Sequence, residues 1–235
     1  MPRRPRIMIA AAATVLLVVA AVLGLHTLSN SRTFQLFGDL VHRVDTEEKV
    51  VALTLDDGPS DRTPEVLRVL AEAGVPATFY VTGTEMAAHP EMGRAIVDAG
   101  HELGNHTSTH RRMILVGSDT VREEIESTDA QIRAAGFDGE ITFRPPYGKK
   151  LVALPRYLDA YDRTTVMWDV EPDSAATDPA TMVDTTLAQT RPGSIILLHA
   201  MYPARQSSLD AIPEIVAGLR AQGYRFVTVS ELLGS

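Results

Sequence analysis

Side chains that could carry out acid–base or metal chemistry follow short apolar runs at five places in the chain. Asp56 and Asp57 follow the run Val50–Leu55, and His106 and His110 lie at the end of His101–His106 and just after it. Arg144 and Tyr147 follow Ile141–Phe143, and His199 follows Ser194–Leu198. Three acids, Asp169, Glu171 and Asp173, follow Thr164–Trp168. In parallel α/β folds the carboxyl ends of the strands form the active-site face. Each of these residues alone is weak evidence for a site. Because all of them follow an apolar run, they predict that the side chains meet at one active-site rim.

The most specific pair is His106 and His110, which are four residues apart. In a helix this spacing would place both imidazoles on one face, where they could bind one ion. Two histidines and one carboxylate would leave positions open for water and substrate, which is typical of a catalytic rather than a structural metal site. The alternative is two surface histidines in a polar loop.

The other candidates each have a functional and a purely structural interpretation. Asp56 and Asp57 would point to opposite faces of a strand, so that one could ligate a metal and the other act as a base. They could equally form an Asx-type turn. His199 is a candidate general acid or a satisfied core histidine. Arg144 and Tyr147 could simply brace a rigid loop.

The elements that must position these residues alternate between strand and helix. Apolar runs predict strands at 50–55, 77–81, 101–106, 141–143, 164–168, 194–198 and 225–229. Helix signals lie between them, among them Thr63 as a cap before Pro64 and a capping box at Thr120 and Glu123. About seven strands alternating with helices predict parallel βα units and a distorted (β/α) barrel, with an open doubly wound sheet as the alternative.

The N-terminus has the pattern of a membrane segment. Pro2–Arg6 contains three arginines, and Ile7–Leu25 follows without a charge. This length is close to the roughly 20 residues that cross a bilayer, and the arginines predict that the N-terminus stays inside. We therefore expect a retained signal anchor in residues 1–32, with a cleaved signal peptide as the alternative.

Composition narrows the class of protein further. The chain has 235 residues, a net charge of −8 and no cysteine. Since four of its 22 lysines and arginines lie in residues 1–32, residues 33–235 hold 18 basic and 30 acidic residues. An acidic body argues against nucleic-acid binding, and the lack of cysteine excludes disulfides and thiol nucleophiles.

Four motifs in order give the chain a family resemblance. They are Thr54-Leu-Asp-Asp-Gly58, His106-x-x-x-His110, Arg144-Pro-Pro-Tyr147 and Leu197-Leu-His199. Together they resemble the NodB-type polysaccharide deacetylases, carbohydrate esterase family 4, over residues 48–235. The resemblance implies a distorted (β/α) barrel and a divalent metal, commonly zinc. It also implies removal of acetyl groups from amino sugars or sugar esters.

The resemblance also implies a role for each motif residue. Asp57, His106 and His110 would hold the metal. Asp56 would be the base that takes a proton from metal-bound water, and His199 the acid that protonates the leaving amine. The two remaining roles fall to Arg144, which would orient Asp56, and to the backbone N–H of Tyr147, which would help to stabilise the oxyanion.

One segment departs from the family pattern. Members often carry an Asp-x-x-Asp-Trp segment whose aspartate tunes the acid histidine, whereas this chain reads Trp168-Asp-Val-Glu-Pro-Asp173 with no tryptophan after it. Asp173 or Asp169 could pair with His199, and we favour Asp173. The missing tryptophan removes one expected wall of the substrate groove.

These observations give an anchor at 1–32, a connector at 33–48 and a NodB-like catalytic domain at 49–235. We expect a single-pass membrane protein with an extracytoplasmic domain, secreted if the N-terminal segment is cleaved. The predicted activity is N-deacetylation of a cell-envelope glycan such as peptidoglycan or another N-acetylglucosamine polymer. The alternatives are an O-deacetylase such as an acetylxylan esterase and a catalytically silent, metal-holding glycan-binding module.

Overall fold

The computed structural model describes residues 4–234, and shows one long apolar helix followed by an α/β body. The helices are α1 Arg4–Asn30, α2 Thr63–Ala73, α3 Gly83–Ala88, α4 Pro90–Asp98, α5 Ser118–Ala134, α6 Ala153–Ala160, α7 Pro179–Gln189, α8 Gln206–Ala221 and α9 Val229–Leu233. The strands are β1 Leu40–Val41, β2 Val50–Asp56, β3 Thr78–Val81, β4 Glu102–Asn105, β5 Thr165–Val166, β6 Ile195–Leu198 and β7 Arg225–Val227.

Strand β2 is the centre of the main sheet, and all seven of its residues are buried. One edge of β2 pairs in parallel with β7 at its start and with β3 at its end, and β3 continues to β4. The other edge pairs with β6. Strands β1 and β5 form a second parallel pair. Because these strands run in one direction, the residues that follow them meet at one end of the body.

Single-residue bridges extend this pairing beyond the named strands. Phe143 forms parallel bridges to Asn105 and Thr165, and Val170 bridges Ile196. The predicted strand at 141–143 is therefore one bridging residue, since the two prolines after Arg144 have no N–H to donate to a ladder. The parallel α/β class is confirmed. Closure into a barrel and the number of strands remain predictions.

Helices cover the outer faces of the sheet and close its core. Leu53 and Leu55 of β2 lie in one buried cluster with Phe79 of β3, Ile196 of β6 and Ile215 of α8. Burying a large apolar side chain contributes about 1.5–3 kcal/mol, so this cluster holds the strand ends in register. The buried cluster therefore supports the strand ends that carry the polar rim.

Two of the predicted helix caps are wrong, one by one residue and the other by three. Helix α2 begins at Thr63 itself, with Arg62 before it as the N-cap. Helix α5 begins at Ser118 after Gly117, so Thr120 and Glu123 already lie inside it and form no capping box. The chain does have a capping box at Thr228 and Glu231, which starts α9 and ends β7 two residues earlier than predicted.

The N-terminal helix matches the apolar run. Ala12–Asn30 is long and apolar enough to cross a membrane, and its large side chains from Val15 to Leu25 are exposed. Of the predicted basic stretch, Pro2 and Arg3 lie outside the described residues. The same length and composition also suit a signal sequence, so the structure confirms the apolar helix only.

Candidate functional site

A sharp turn brings the two neighbouring aspartates to the same side of the sheet. Asp56 is the last residue of β2, and Asp57 has φ of 69°. Gly58 follows with φ of 79°, and a Cβ there would come within 2.9 Å of the Met201 side chain. The left-handed turn re-aims Asp57, so carboxylate oxygens of Asp56 and Asp57 lie 3.7 and 4.0 Å from Nε2 of His106.

Asp57, His106 and His110 form the group that could hold a metal ion. One ligand atom from each lies within 4.8 Å of the other two. His106 Nδ1 lies 2.7 Å from the Arg144 carbonyl oxygen, to which it must donate, so its Nε2 is free to ligate. Burial lowers the pKa of His106 to about 3, which keeps the ring neutral as a ligand must be.

The histidine pair lies in a loop, so the helical arrangement that would place both rings on one face does not apply. His106 follows β4 directly, and the backbone then turns, with φ of 68° at Thr107 and 53° at His110. The turn brings the two ring centroids to 5.0 Å from each other. The donor set of two imidazoles and one carboxylate fits a divalent ion such as zinc.

A fully buried arginine holds Asp56. Arg144 donates to Asp56 Oδ1 at 2.6 Å and to Thr54 Oγ1 at 2.8 Å. It also donates to the carbonyl oxygens of Val166 and Met167, each at 3.2 Å. The guanidinium carbon lies 4.0 Å from the centroid of the Tyr80 ring. These contacts fix the carboxylate in position and balance its charge in a buried site.

The second acidic partner at the rim is Asp173, which contacts His199. Asp173 Oδ1 lies 3.3 Å from His199 Nδ1, and its Oδ2 accepts from the His199 N–H at 2.6 Å and from Ser208 at 2.9 Å. Burial opposes the charged form of His199, but the Asp173 bond and the charges of Asp56 and Asp57 outweigh it and raise its pKa to about 9. His199 is thus set to carry a proton near neutral pH.

The two other acids of the altered segment lie elsewhere. Asp169 accepts from the Ile195 N–H at 2.9 Å and from Ser194 at 2.8 Å, and so ties two segments together. Glu171 accepts from Trp168 Nε1 at 2.8 Å and from Arg32 at 2.5 Å. Of the three acids in this segment, Asp173 alone is hydrogen-bonded to His199 among the described residues.

Tyr147 lies at the mouth of the site. It occupies a 3₁₀ turn with φ of 57°, and its ring centroid is 4.7 Å from that of His110. Gly148 and Lys149 donate their backbone N–H groups to Pro145 and Pro146. Among the described residues the Tyr147 N–H has no protein acceptor, so it can donate to a substrate oxygen.

Two cavities adjoin at the metal-ligand group and share Asp57 and His110. One, of about 360 Å³, is also lined by Asp56, His106, Tyr147, Asp173 and His199. The other, of about 410 Å³, extends past Thr82, Glu85 and Tyr202. The cleft therefore runs to both sides of the candidate reaction centre, as a chain-like substrate would require.

Sequence reasoning missed three contributors to this rim. Arg32 reaches the cavity beside Trp168, Arg205 lines the same cavity, and Ser208 holds Asp173. Arg32 lies at the polar end of the predicted anchor. Arg205 lies just before α8 and Ser208 within it, in a segment that contains no motif. No spacing in the sequence pointed to them, because their contacts cross 32 residues or more.

Comparison with known proteins agrees with this arrangement. Residues 43–166 match the model of the family described as polysaccharide deacetylase. A peptidoglycan-N-acetylglucosamine deacetylase of Bacillus cereus is 34% identical over 186 residues, covering 77% of this chain and 67% of the relative. A chitooligosaccharide deacetylase of Rhizobium leguminosarum bv. trifolii is 34% identical over 193 residues, covering 76% and 89%.

A solved structure shows the same fold. The crystal structure of a carbohydrate esterase family 4 pseudoenzyme from Bacillus anthracis superposes with a TM-score of 0.74 at 28% identity, covering 82% of this chain and 68% of that one. The chain belongs to the polysaccharide deacetylase family, carbohydrate esterase family 4, and is an enzyme of that family. The resemblance drawn from the four motifs is thereby confirmed.

Proposed function

We propose that this chain is a metal-dependent hydrolase that removes N-acetyl groups from amino sugars of a cell-envelope glycan. The observation that carries the proposal is the convergence of three groups on one cavity. These are the Asp57, His106 and His110 set, the Arg144-held Asp56, and the Asp173-held His199. A binding module would need neither a base nor an acid.

The metal would be held by Asp57, His106 and His110. A divalent ion there, commonly zinc in such donor sets, would supply Lewis acidity to a carbonyl and would lower the pKa of a water to about 7. Asp56, buried and hydrogen-bonded to Arg144, would be the base that accepts a proton from the attacking water.

His199 is the proposed general acid. The amine released from an amide is a poor leaving group unless it is protonated. His199 carries a proton for this step because Asp173 and the nearby acids raise its pKa to about 9. The backbone N–H of Tyr147 donates to the oxyanion, a kind of contact that is worth about 2.7–4 kcal/mol. Arg144 acts through Asp56 and is a positioning residue.

We also propose the wider arrangement of the chain. The apolar helix in residues 1–32 anchors the protein, residues 33–48 connect it, and residues 49–235 form the extracytoplasmic catalytic domain. The single-residue bridges through Phe143 and Val170 support closure of the sheet into a distorted barrel. The substrate is an acetylated glycan, and the acidic body supports the absence of nucleic acid among its partners.

The test is acetate release by the full chain in detergent. The substrates are N-acetylglucosamine oligomers, peptidoglycan and acetylxylan, each with zinc and with a chelator. We expect zinc-dependent release from an amino-sugar substrate and loss of both metal and turnover in His106→Ala. His42→Ala, which changes a histidine outside the site, should behave as the unmodified chain does.

Other outcomes point to the two alternatives. Release from acetylxylan alone would identify an O-deacetylase, since the same oxyanion chemistry serves an ester. Bound zinc without release from any substrate would identify a silent glycan-binding module, and the family does include a pseudoenzyme, the one from Bacillus anthracis. Full activity of His106→Ala would refute the metal mechanism.

A further inference from the structure

Three segments around the site mouth carry positive charge in an acidic body. We define the basic face as residues 29–38, 111–117 and 147–157. It contains no aspartate or glutamate, whereas residues 33–235 as a whole hold 18 basic and 30 acidic residues. Its basic residues are Arg32, Arg111, Arg112, Lys149, Lys150 and Arg156, of which Lys150 is buried.

Direct contacts join the three segments into one surface. Lys150 donates its backbone N–H to the Ser29 carbonyl at 3.3 Å and its Nζ to the Ser31 carbonyl at 2.5 Å. Met113 forms a parallel bridge to Lys150. The guanidinium carbon of Arg112 lies 4.3 Å from the centroid of the Tyr147 ring.

The basic face also holds most of the exposed large apolar side chains of the body. Leu115 is 89% exposed, Phe34 55%, and Leu36, Phe37 and Val152 are exposed as well. Outside α1, the other large apolar side chains shown exposed are Tyr147, also on this face, and Tyr161. Single exposed apolar residues are ordinary, but their concentration on one face marks an interaction surface.

The apolar helix leads directly into this face. Helix α1 ends at Asn30, whose side chain accepts a hydrogen bond from Lys149. Arg32, two residues later, already lines the catalytic cavity, where its guanidinium carbon lies 4.6 Å from the Trp168 ring centroid. Two extended residues span about 7 Å, which is close to the thickness of one lipid headgroup layer.

We propose that the basic face rests on an anionic lipid bilayer, so that the catalytic cavity opens at the level of the lipid headgroups. Its exposed arginines complement an anionic surface, and its apolar side chains enter the headgroup region beside α1. It follows, on the basis of the proposed function, that the preferred substrate is an acetylated glycan carried at the membrane surface.

The first experiment measures depth in the membrane. The chain has no cysteine, so single spin labels at Leu115→Cys, Leu36→Cys and Ala221→Cys are specific. The full chain is placed in nanodiscs of phosphatidylglycerol and phosphatidylcholine. Labels at 115 and 36 should be shielded from a water-soluble relaxant and accessible to oxygen, whereas the label at 221, outside the face, should be water-exposed.

The opposite result is equally clear. A label at 115 that is as water-exposed as the one at 221 overturns bilayer docking. If that label is instead immobilised only when soluble anionic wall glycan is added, the face binds glycan and the proposal is wrong. Arg111→Glu with Arg156→Glu should raise the water exposure of the label at 115 at least several-fold, while Arg94→Glu on α4 should not.

The second experiment tests the substrate with the unmodified chain in the same nanodiscs. Acetate release is compared between an N-acetylglucosamine oligomer attached to a lipid and the same oligomer free in solution. We expect release from the lipid-attached oligomer to be at least tenfold faster at equal concentration. Equal rates overturn the substrate inference. No release from either refutes the proposed function, and the depth measurement still decides the docking.

Discussion

Two buried carboxylates lie at the rim of the site, each paired with a cation, and the two pairs differ in kind. The Arg144 side chain is 0% exposed and Asp56 is 3% exposed. In the other pair the His199 side chain is 23% exposed, while that of Asp173 is fully buried. A guanidinium stays charged at any pH at which a protein is folded, whereas an imidazole titrates.

The difference shows how one sheet edge can supply both a base and an acid. The Arg144 guanidinium donates to Asp56 Oδ1 at 2.6 Å and holds that carboxylate in one position, as a base requires. A buried anion beside His199 keeps the imidazolium protonated yet able to release its proton, as an acid requires. Substitutions in the first pair should therefore affect stability and activity, and those in the second mainly the pH profile.

The largest effect is expected from Arg144→Met. It leaves Asp56 buried without its partner, and breaking such a pair costs about 3–5 kcal/mol. Urea unfolding of the full chain in detergent measures the loss, and acetate release should fall with it. As a control, Arg68→Met removes an exposed pair with Glu72 and should cost about 1 kcal/mol or less. Equal losses would show that Arg144 has no special structural role.

The next largest effect distinguishes the proposed roles of the neighbouring residues Asp56 and Asp57. Asp56→Asn removes a general base, so kcat should fall by about 10²–10⁴ while bound zinc is retained. Asp57→Asn should lose the zinc as well, because it removes a proposed ligand. Metal analysis of both purified variants, alongside acetate release, checks this. Loss of zinc from Asp56→Asn and its retention in Asp57→Asn would reverse the two roles.

A smaller effect concerns pH. Activity should decline at alkaline pH as His199 loses its proton, and Asp173→Asn should move this decline to lower pH, because removing the anion lowers the pKa of His199. Charge partners at this distance shift a pKa by about 1–3 units. The pH dependence of kcat measures it. An unchanged alkaline limb would mean that Asp173 does not support the acid.

The smallest effect is expected from Ser208→Ala. Ser208 donates at 2.9 Å to the same Asp173 oxygen that accepts from the His199 N–H. One lost hydrogen bond costs about 0.5–1.5 kcal/mol, and the alkaline limb should shift in the same direction as in Asp173→Asn, but less. Ser207→Ala, at a neighbouring half-exposed serine, should change neither quantity. A larger shift of the alkaline limb in Ser208→Ala than in Asp173→Asn would contradict the expectation that Asp173 has the greater effect on His199.

Much of the fold could be predicted because strand and helix signals are local. The buried run of β2, the apolar strand β6 and the long N-terminal helix each follow from periodicity and composition. The pairing of the segment at 141–143 could not be predicted, since two of its three side chains are apolar but its pairing ends before two prolines. Strand β1 was missed because two residues carry no periodic signal, and its partner β5 lies more than 120 residues away.

The sequence by itself determined which chemical groups are present and that parallel strands deliver them to one end of the body. It also determined the family, since four short motifs in order are specific together. Only the tertiary structure decided how the side chains point. A left-handed turn re-aimed Asp57, a loop rather than a helix paired His106 with His110, and Asp173 rather than Asp169 contacted His199.

The tertiary structure also decided that the residues after the apolar helix belong to the rim. Arg32 pairs with Glu171 across 139 positions of sequence. The physical reason is common to these cases. Backbone preferences act over a few residues and can be deduced from spacing, whereas side-chain direction and long-range ion pairs depend on how distant segments pack.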